Sequence, residues 1–273
     1  MVPRIAYVLG TSFSGSTLLN ALLARHADVV ALNELVNLGT ELRAEFARNP
    51  RHPLRQPFWQ RVRERYEARG ADFRRIDLSF GWRDVLTDGA AAEARWLETN
   101  ERLFDVLRAE VGDCMFVDAS KHHRRVARMI AAGWAPRVVH IVRDGRSVVA
   151  SGRKRGRSLP ETTASLHLDL VRSEGLRRRL GAERFVRVRY TDLARDPEAV
   201  AWRLCDFLGL QFEPAMLDLE TPVEHPAAVG SKGFWMLRRG TTVAPARAVQ
   251  LPALQEVAYR AAGGPARDRW LGM

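Results

Sequence analysis

Four short apolar runs recur along the chain, and each is followed by a polar or glycine-containing loop. They are residues 4–9, 114–117, 137–142 and 185–189, and residues 28–32 match the same pattern. Segments with the apolar spacing of helices come between them, such as residues 197–208. Strands that alternate with helices predict an α/β fold, a three-layer sandwich with a mostly parallel central sheet and helices on both faces.

The stretch from residue 36 to residue 111 departs from this alternation. Its helical patterns are interrupted by Pro50, Pro53, Pro57, Gly70 and Gly81. Proline and glycine end or weaken helices, so this stretch predicts several helices rather than one. We therefore expect a helical cap, inserted into a single domain that spans residues 1–273.

Length and composition exclude several classes of protein. A chain of 273 residues with 46% hydrophobic content suits one sizeable core. No apolar run approaches the ~18 residues of a membrane span, and the N-terminus lacks the architecture of a signal peptide. We expect a cytoplasmic protein without a membrane span. Its two cysteines, Cys114 and Cys205, give neither a disulfide framework nor a metal-ligand cluster, so no metal is expected.

The chain is strongly basic. Forty-three Lys and Arg residues against thirty-two Asp and Glu residues give a formal net charge of +11. This excess favours anionic partners such as phosphates, sulfates or nucleic acid. The charge alone does not choose among them, because much of it is Arg spread over helical segments, as in residues 172–179.

The loop after the first apolar run, Gly10 to Thr17, is rich in glycine and serine. Glycines let the backbone curl so that its N–H groups and the next helix N-terminus point at an anion, as in a P-loop-like phosphate site. Loops that bind nucleoside triphosphates carry lysine at the position of Ser16. Its absence argues against hydrolysis of ATP or GTP.

Three further loops carry candidate chemistry, and in a parallel sheet such loops converge at the carboxyl ends of the strands. Lys121 follows residues 114–117, and Tyr190 follows residues 185–189. Tyr190 either stacks on a purine, places its hydroxyl on a ligand, or packs in the core. Arg143 directly follows the run 137–142, and Ser151 lies about two helical turns further on. A guanidinium and a hydroxyl on one face suit a terminal phosphomonoester.

Together these loops resemble the PAPS-dependent sulfotransferase family, from the first strand to about Gly209. PAPS is 3′-phosphoadenosine 5′-phosphosulfate, and the order of the loops is the family's order. The resemblance implies transfer of a sulfuryl group to a hydroxyl or amine of a small-molecule, sugar or natural-product acceptor, without a metal. It implies a 3′-phosphate site at Arg143 and Ser151, and a 5′-phosphosulfate loop at Ser12, Phe13, Ser14, Gly15, Ser16, Thr17 and Leu18.

The resemblance also supplies catalytic roles. Lys121 stands where the family has its strand-end lysine, which stabilises the transferring group and the leaving phosphate. Two residues are candidates for the base that takes the acceptor's proton. Glu34 resembles the glutamate of the tyrosylprotein branch, and His123 imitates the Lys-x-His spacing of the cytosolic branch. We favour Glu34, because residues 142–146 also resemble the tyrosylprotein and bacterial carbohydrate-type enzymes.

One residue departs from the family pattern. The family has Lys or Arg where this chain has Phe13, so a cation from elsewhere is expected to compensate. A glycine-containing basic segment at about residues 225–245 resembles the one that covers the nucleotide in the family. We carry that role to Lys232, Arg238 and Arg239. We expect residues 35–111 and 153–165 to wall the acceptor cleft.

Two other functions compete with this interpretation. A P-loop kinase of small molecules shares the strand–loop–helix arrangement, but the missing lysine at Ser16 counts against it. A non-catalytic module that binds nucleotides or nucleic acid would account for Phe13 and the charge of +11. We favour the sulfotransferase, with a small-molecule acceptor and no nucleic acid as partner. The sequence sets neither the acceptor's identity nor the oligomeric state.

Overall fold

The fold, seen in a computed structural model, is built on one parallel sheet. The structure describes residues 2–43, 52–79, 82–223, 227–243 and 249–273. For residues 82–88 and 231–234 the structure describes the backbone but not the side chains. Five strands pair in the order β2-β3-β1-β4-β5, all parallel: β1 (Ile5–Leu9), β2 (Val29–Asn33), β3 (Met115–Asp118), β4 (Arg137–Val142) and β5 (Phe185–Arg189). The predicted α/β class is confirmed.

Helices cover both faces of the sheet. They are α1 (Ser16–Leu23), α2 (Leu38–Glu41), α3 (Pro57–Glu67), α4 (Trp82–Val111), α5 (His123–Ala131), α6 (Gly145–Arg153), α7 (Leu159–Arg184), α8 (Tyr190–Arg195), α9 (Pro197–Leu208), α10 (Ser231–Arg239), α11 (Ala253–Ala261) and α12 (Gly264–Trp270). Short 3₁₀ turns cover Leu35–Asn37, Pro53–Arg55, Phe73–Arg75 and Pro214–Leu217. The stretch between β2 and β3 contains α2, α3 and α4.

Side chains alternate across the central strand and so feed two cores. Ile5, Tyr7 and Leu9 of β1 pack in one buried cluster with side chains of α3, α4 and α5. Ala6 and Val8 point the other way, into a cluster with α1 and α9. This alternation follows from the period of two in an extended chain. Because helices cover both faces of the sheet, the side chains on both sides of each strand are apolar. The strands are therefore continuous apolar runs in the sequence, and this makes them predictable.

The region after residue 214 packs back onto the domain at two places. Val229 forms a parallel bridge with Asn33, and its backbone bonds Leu32 and Glu34 at 2.9 and 3.2 Å. This contact adds a short paired segment to the edge of the sheet at the end of β2. Further on, α10 packs on α1. The helices α11 and α12 pack against α7 and α6. Within the described part of the chain, no helix is both long and apolar enough to cross a membrane.

A buried polar cluster joins α11 and α12 to the start of α6. Asp268 accepts hydrogen bonds from the Gly145 N–H at 3.2 Å and from the Tyr259 hydroxyl at 2.6 Å. Arg267 donates to Asp268 at 2.8 Å and to the Arg143 carbonyl at 3.3 Å. The carboxylate therefore lies at a helix N-terminus, where the helix dipole favours negative charge.

This cluster leaves no room for a side chain at Gly145. A Cβ atom there would collide with the Tyr259 ring and hydroxyl. We expect Gly145→Ala to lower the free energy of unfolding by about 1–3 kcal/mol, the usual cost of overpacking. Gly175, in the middle of α7, has no atom within 4 Å of a Cβ built at that position. Gly175→Ala is the matched control and should stabilise by about 0.5–1 kcal/mol. Urea denaturation measures both, and equal effects would contradict the assigned packing.

Candidate active site

A cavity of about 840 Å³ opens at the carboxyl ends of the strands. Its wall includes residues from the loops that follow β1, β2, β3, β4 and β5. Of the residues singled out in the sequence, it brings together Ser12, Phe13, Gly15, Ser16, Thr17, Leu18, Glu34, Lys121, Arg143, Ser151 and Tyr190. These residues come from chain positions far apart, so the cavity exists only in the folded sheet.

The loop after β1 is wound tightly before α1 begins. Phe13 has a φ of 70°, and Gly15, the N-cap residue of α1, has a φ of 101°. Gly15 has a steric reason to be glycine, because a Cβ there would overlap the Tyr190 ring. No side chain caps α1, so its first N–H groups are available to an anion. Ser14 is fully buried and does not line the cavity, unlike its neighbours in this loop.

Arg143 is held between the first loop and the aromatic ring after β5. Its Nη1 donates to the Phe13 carbonyl at 3.3 Å, and its guanidinium lies 4.2 Å from the centre of the Tyr190 ring. Its buried Nε has no partner among the described residues. Ser151, on the second turn of α6, lines the same cavity. Arg143 and the turn at Gly15 therefore face one space, so an anion there would lie beside a guanidinium and the start of α1.

Lys121 and Glu34 meet at the edge of the cavity. The Lys121 Nζ lies 2.6 Å from the Glu34 Oε1, and the Asn37 amide donates to the other carboxylate oxygen at 3.1 Å. Lys121 has a φ of 63° and Asn33, just before Glu34, a φ of 55°. Positive φ is costly for residues other than glycine and persists only where the surroundings hold it in place. One such residue lies in the loop after β1 (Phe13), one at the end of β2 (Asn33) and one in the loop after β3 (Lys121).

Buried polar contacts fix the loop that carries Lys121. The Asp118 carboxylate binds the Arg125 guanidinium at 2.9 Å and also accepts from the Ser120 hydroxyl. The Tyr7 hydroxyl accepts a hydrogen bond from the His122 N–H at 3.1 Å. Complete burial raises the pKa of Tyr7 well above its usual value, so the phenol stays protonated. The loop is thus tied to the sheet on both sides of Lys121.

The side chain of His123 points away from Glu34 and toward α7. Its Nε2 lies 2.8 Å from the Ser173 hydroxyl and 3.5 Å from an Asp169 oxygen. The other Asp169 oxygen contacts His140 at 2.9 Å. Burial lowers the pKa of His123 to about 4, with neighbouring cations adding to the shift. His123 does not line the 840 Å³ cavity, so the structure separates the two candidate bases.

The C-terminal segment lines the cavity through residues that the sequence did not single out. Met236, Thr241 and Thr242 contribute to the wall. Arg238 and Arg239 are exposed on α10 and do not line it, and Arg239 lies over the Trp235 ring at 4.6 Å. The side chain of Lys232 lies outside the described residues.

A second group of lining residues was missed, although a signal was present. Lys154, Arg155 and Arg157 line the cavity beside Ser151, in a stretch that we had expected to wall an acceptor cleft. The signal was the basic run 153–157 directly after Ser151. The Arg157 guanidinium lies over the Phe13 ring, 5.7 Å from its centre. With Lys121 and Arg143, the described residues place five cationic side chains and one carboxylate, that of Glu34, around the cavity.

Comparison with known structures shows the same fold elsewhere. The sulfotransferase domain from the Synechococcus PCC 7002 olefin synthase aligns over 97% of this chain and 95% of its own length, with 21% identity and a TM-score of 0.59. The sulfotransferase domain from the curacin biosynthetic pathway aligns over 95% and 97%, with 19% identity and a TM-score of 0.57. A sulfotransferase from Alicyclobacillus acidocaldarius aligns over 99% and 96%, with 14% identity and a TM-score of 0.51.

The sequence itself carries the family signal. No curated protein matches the chain. Residues 6–214, from β1 to the turn after α9, match the family model described as the sulfotransferase family. That range contains the loops after all five strands, and the C-terminal segment with α10, α11 and α12 lies beyond it. The chain therefore belongs to the sulfotransferase family.

Proposed function

We propose that this protein moves a sulfuryl group from PAPS to a hydroxyl or amine of a small-molecule acceptor, by in-line displacement in the cytoplasm. The observation that carries this proposal is the shared cavity. Arg143 and Ser151 on one side, the loop around Gly15 on another, and the Lys121–Glu34 pair all face it. A bisubstituted anionic nucleotide needs such an arrangement, because its two charged ends must be gripped at once.

The residues present fit PAPS in size and in charge. The cavity of about 840 Å³ lies within the usual range for ligand sites, roughly 300–1,000 Å³. Arg143 offers its guanidinium to the 3′-phosphate, and Ser151 adds a hydroxyl. The open N-terminus of α1 suits the 5′-phosphosulfate. Tyr190 supports Arg143 from beneath, since the guanidinium covers its ring.

The chain's own groups supply the rest of the chemistry. Bound PAPS supplies a sulfuryl group that is activated for transfer. Lys121 stabilises negative charge that develops on the bridging oxygen, because an ammonium at a site that excludes water acts strongly on nearby charge. Glu34 takes the proton from the acceptor. Their contact of 2.6 Å holds both side chains at the cavity edge.

Arg157 supplies the cation that Phe13 does not. Its guanidinium reaches over the Phe13 ring and lines the same cavity as the first loop. The ring holds the guanidinium beside the first loop by a cation–π contact. Its ion pair with Glu161 is long, 3.8 Å, and the side chain is 40% exposed. Such a pair is weak, so a bound anion can compete for Arg157.

The first prediction concerns the 3′-phosphate. Arg143→Ala should weaken binding of adenosine 3′,5′-bisphosphate (PAP) by roughly 2–4 kcal/mol, because a phosphate loses a charged donor. Binding of AMP, which lacks the 3′-phosphate, should change much less. Isothermal titration calorimetry measures both ligands, with exposed Arg179→Ala on α7 as the control. An equal loss for PAP and AMP, or no loss, would show that Arg143 does not bind the 3′-phosphate.

The second prediction concerns the base. Glu34→Gln should lower turnover of PAPS by about 10²–10⁴-fold, the usual contribution of a general base, and leave PAP affinity nearly unchanged. His123→Ala should retain turnover, because that side chain faces α7. The measurement uses labelled PAPS and an acceptor found by screening at fixed donor concentration. Loss of turnover in His123→Ala together with retention in Glu34→Gln would reverse the assignment.

The third prediction concerns Arg157. Arg157→Gln should lower kcat/KM for PAPS about tenfold or more, the effect of one lost charge-assisted hydrogen bond. Adding Phe13→Lys to this variant should restore much of the loss, since a cation returns to the same loop. Arg153→Gln removes a charge from the same basic run without touching the cavity, and is the control. If the second substitution rescues nothing, Arg157 acts elsewhere.

A further inference from the structure

The long helix α7 is apolar on two opposite sides. One side packs into the domain through buried residues that include Leu166, Leu176 and Leu180. The other side carries Leu168 and Val171, which are 50% and 70% exposed. A helix on the surface of a single domain normally has one apolar side and polar residues opposite it. The packing of this domain therefore does not account for the second apolar side of α7.

The exposed apolar side forms a narrow stripe along the helix. Its members are Ala164, Leu168, Val171 and Gly175, and we call them the α7 stripe. All four are exposed and follow one another at intervals of four, three and four residues. Side chains at these intervals lie on one line, along which a second helix can pack. The two larger residues lie in the middle of the helix, which is interrupted at Gly181, and a small residue lies on each side of them.

One edge of the α7 stripe continues into other exposed apolar residues. His167, on this edge, contacts the Ala262 carbonyl at the end of α11 at 2.8 Å. Leu254 and Val257 of α11 are 86% and 65% exposed, and Trp270 of the adjoining α12 is 52% exposed. Single exposed apolar side chains are normal, whereas a group on neighbouring helices indicates a contact surface. The three helices α7, α11 and α12 together present such a group.

The opposite edge of the α7 stripe is charged, with opposite signs at its two ends. About five full helical turns separate Glu161 from Arg179, so both project from this edge, with Arg172 between them. Glu161 and Arg179 are about equally far from the midpoint of the stripe. The ion pair of Glu161 with Arg157 is 3.8 Å long, and the glutamate side chain is 57% exposed. Arg179 is exposed and forms no ion pair with a described residue.

We infer that two copies of this chain form a dimer through their α7 stripes, with the two helices antiparallel about a two-fold axis at the midpoint of the stripe. A two-fold contact uses the same surface of both copies. With the axis at the midpoint, Leu168 of each copy packs against Val171 of the other. Ala164 meets Gly175 at both ends of the contact, and these small residues let the helices approach closely.

The charges favour a second copy of the chain as the partner, and they set the direction of the pairing. In the antiparallel dimer, Glu161 of each copy lies beside Arg179 of the other, on the same edge of the contact. A parallel pairing would place Glu161 against Glu161 and Arg179 against Arg179, which repel. The two Arg172 side chains oppose the antiparallel pairing only weakly, because they remain in solvent. The dimer does not depend on the proposed transfer of a sulfuryl group.

Sedimentation equilibrium of the full chain tests the dimer. We expect a dimer with a Kd of about 10 μM or tighter. Val171→Glu places a charge in the middle of the contact and should weaken dimerisation about a hundredfold or more. Val2→Glu makes the same change at a valine that is 51% exposed outside α7, α11 and α12, and should leave dimerisation unchanged. Thermal melting checks that both variants are folded.

Charge reversal tests the antiparallel direction. Glu161→Arg alone, or Arg179→Glu alone, turns two attractive contacts of the dimer into two repulsive ones. Each should weaken dimerisation about tenfold at low ionic strength, where surface charges are least screened. The variant with both substitutions exchanges the signs and restores the attraction. It should dimerise within about threefold of the unaltered chain.

Each other outcome overturns the inference. A chain that stays monomeric at about 100 μM forms no such dimer, and the α7 stripe would then contact a different protein. A dimer that survives Val171→Glu is formed through another face. If the two charge reversals fail to restore each other, the helices do not pair antiparallel at this position. Binding of PAP is measured separately, so failure of the dimer leaves the proposed function standing.

Discussion

The parallel pairing of β1 with β3 and β4 is the constraint on which the site depends. Tyr7 pairs with Asp118 on one side, and Leu9 pairs with His140 on the other. This register brings the loops that carry Gly15, Lys121 and Arg143 to the same edge of the sheet. A slip of one residue would turn each strand's core side chains to the opposite face, so the two cores on either side hold the register. Packing far from the cavity thereby sets the positions of the groups around it.

Buried polar contacts fix the positions of the loops that the sheet brings to this edge. Asp118 and Arg125 form an ion pair at 2.9 Å and are almost entirely buried. Burying such a pair contributes little net stability, since desolvation offsets the attraction. What the pair does is fix the chain on both sides of Lys121, where the backbone has a φ of 63°. The buried Asp118–Arg125 pair therefore holds the strained backbone at Lys121 in place.

The strands were predictable, because they are buried on both faces. The bounds of β4 and β5 agree with the apolar runs 137–142 and 185–189, and the other strands differ by about one residue. The spacing of Arg143 and Ser151 was also sufficient to place them together, since a strand end and two helical turns have fixed lengths. Local sequence patterns were thus sufficient to predict the strands of the sheet and many of the residues that line the cavity.

Contacts between distant parts of the chain were not predictable. His123 points toward α7 because Ser173 and Asp169, some fifty residues on, provide its polar partners. The closure of α6 by Asp268 joins residues more than a hundred positions apart, and no local pattern in the last two helices marks it. Arg157 follows α6, and its guanidinium contacts the ring of Phe13 in the first loop, more than a hundred positions earlier. In each case tertiary packing determines which residues meet. The spacing of residues along the chain gives no information about such contacts.

The distribution of charge links stability to ligand binding. Cationic side chains gather at the cavity, where Glu34 is the one carboxylate among the described lining residues. Such a cluster raises the free energy of the folded protein, because like charges repel. An anion that binds only the folded protein stabilises it in proportion to the logarithm of its concentration over Kd. An anion bound at the cavity would therefore stabilise the fold as well as meet the charges that line it.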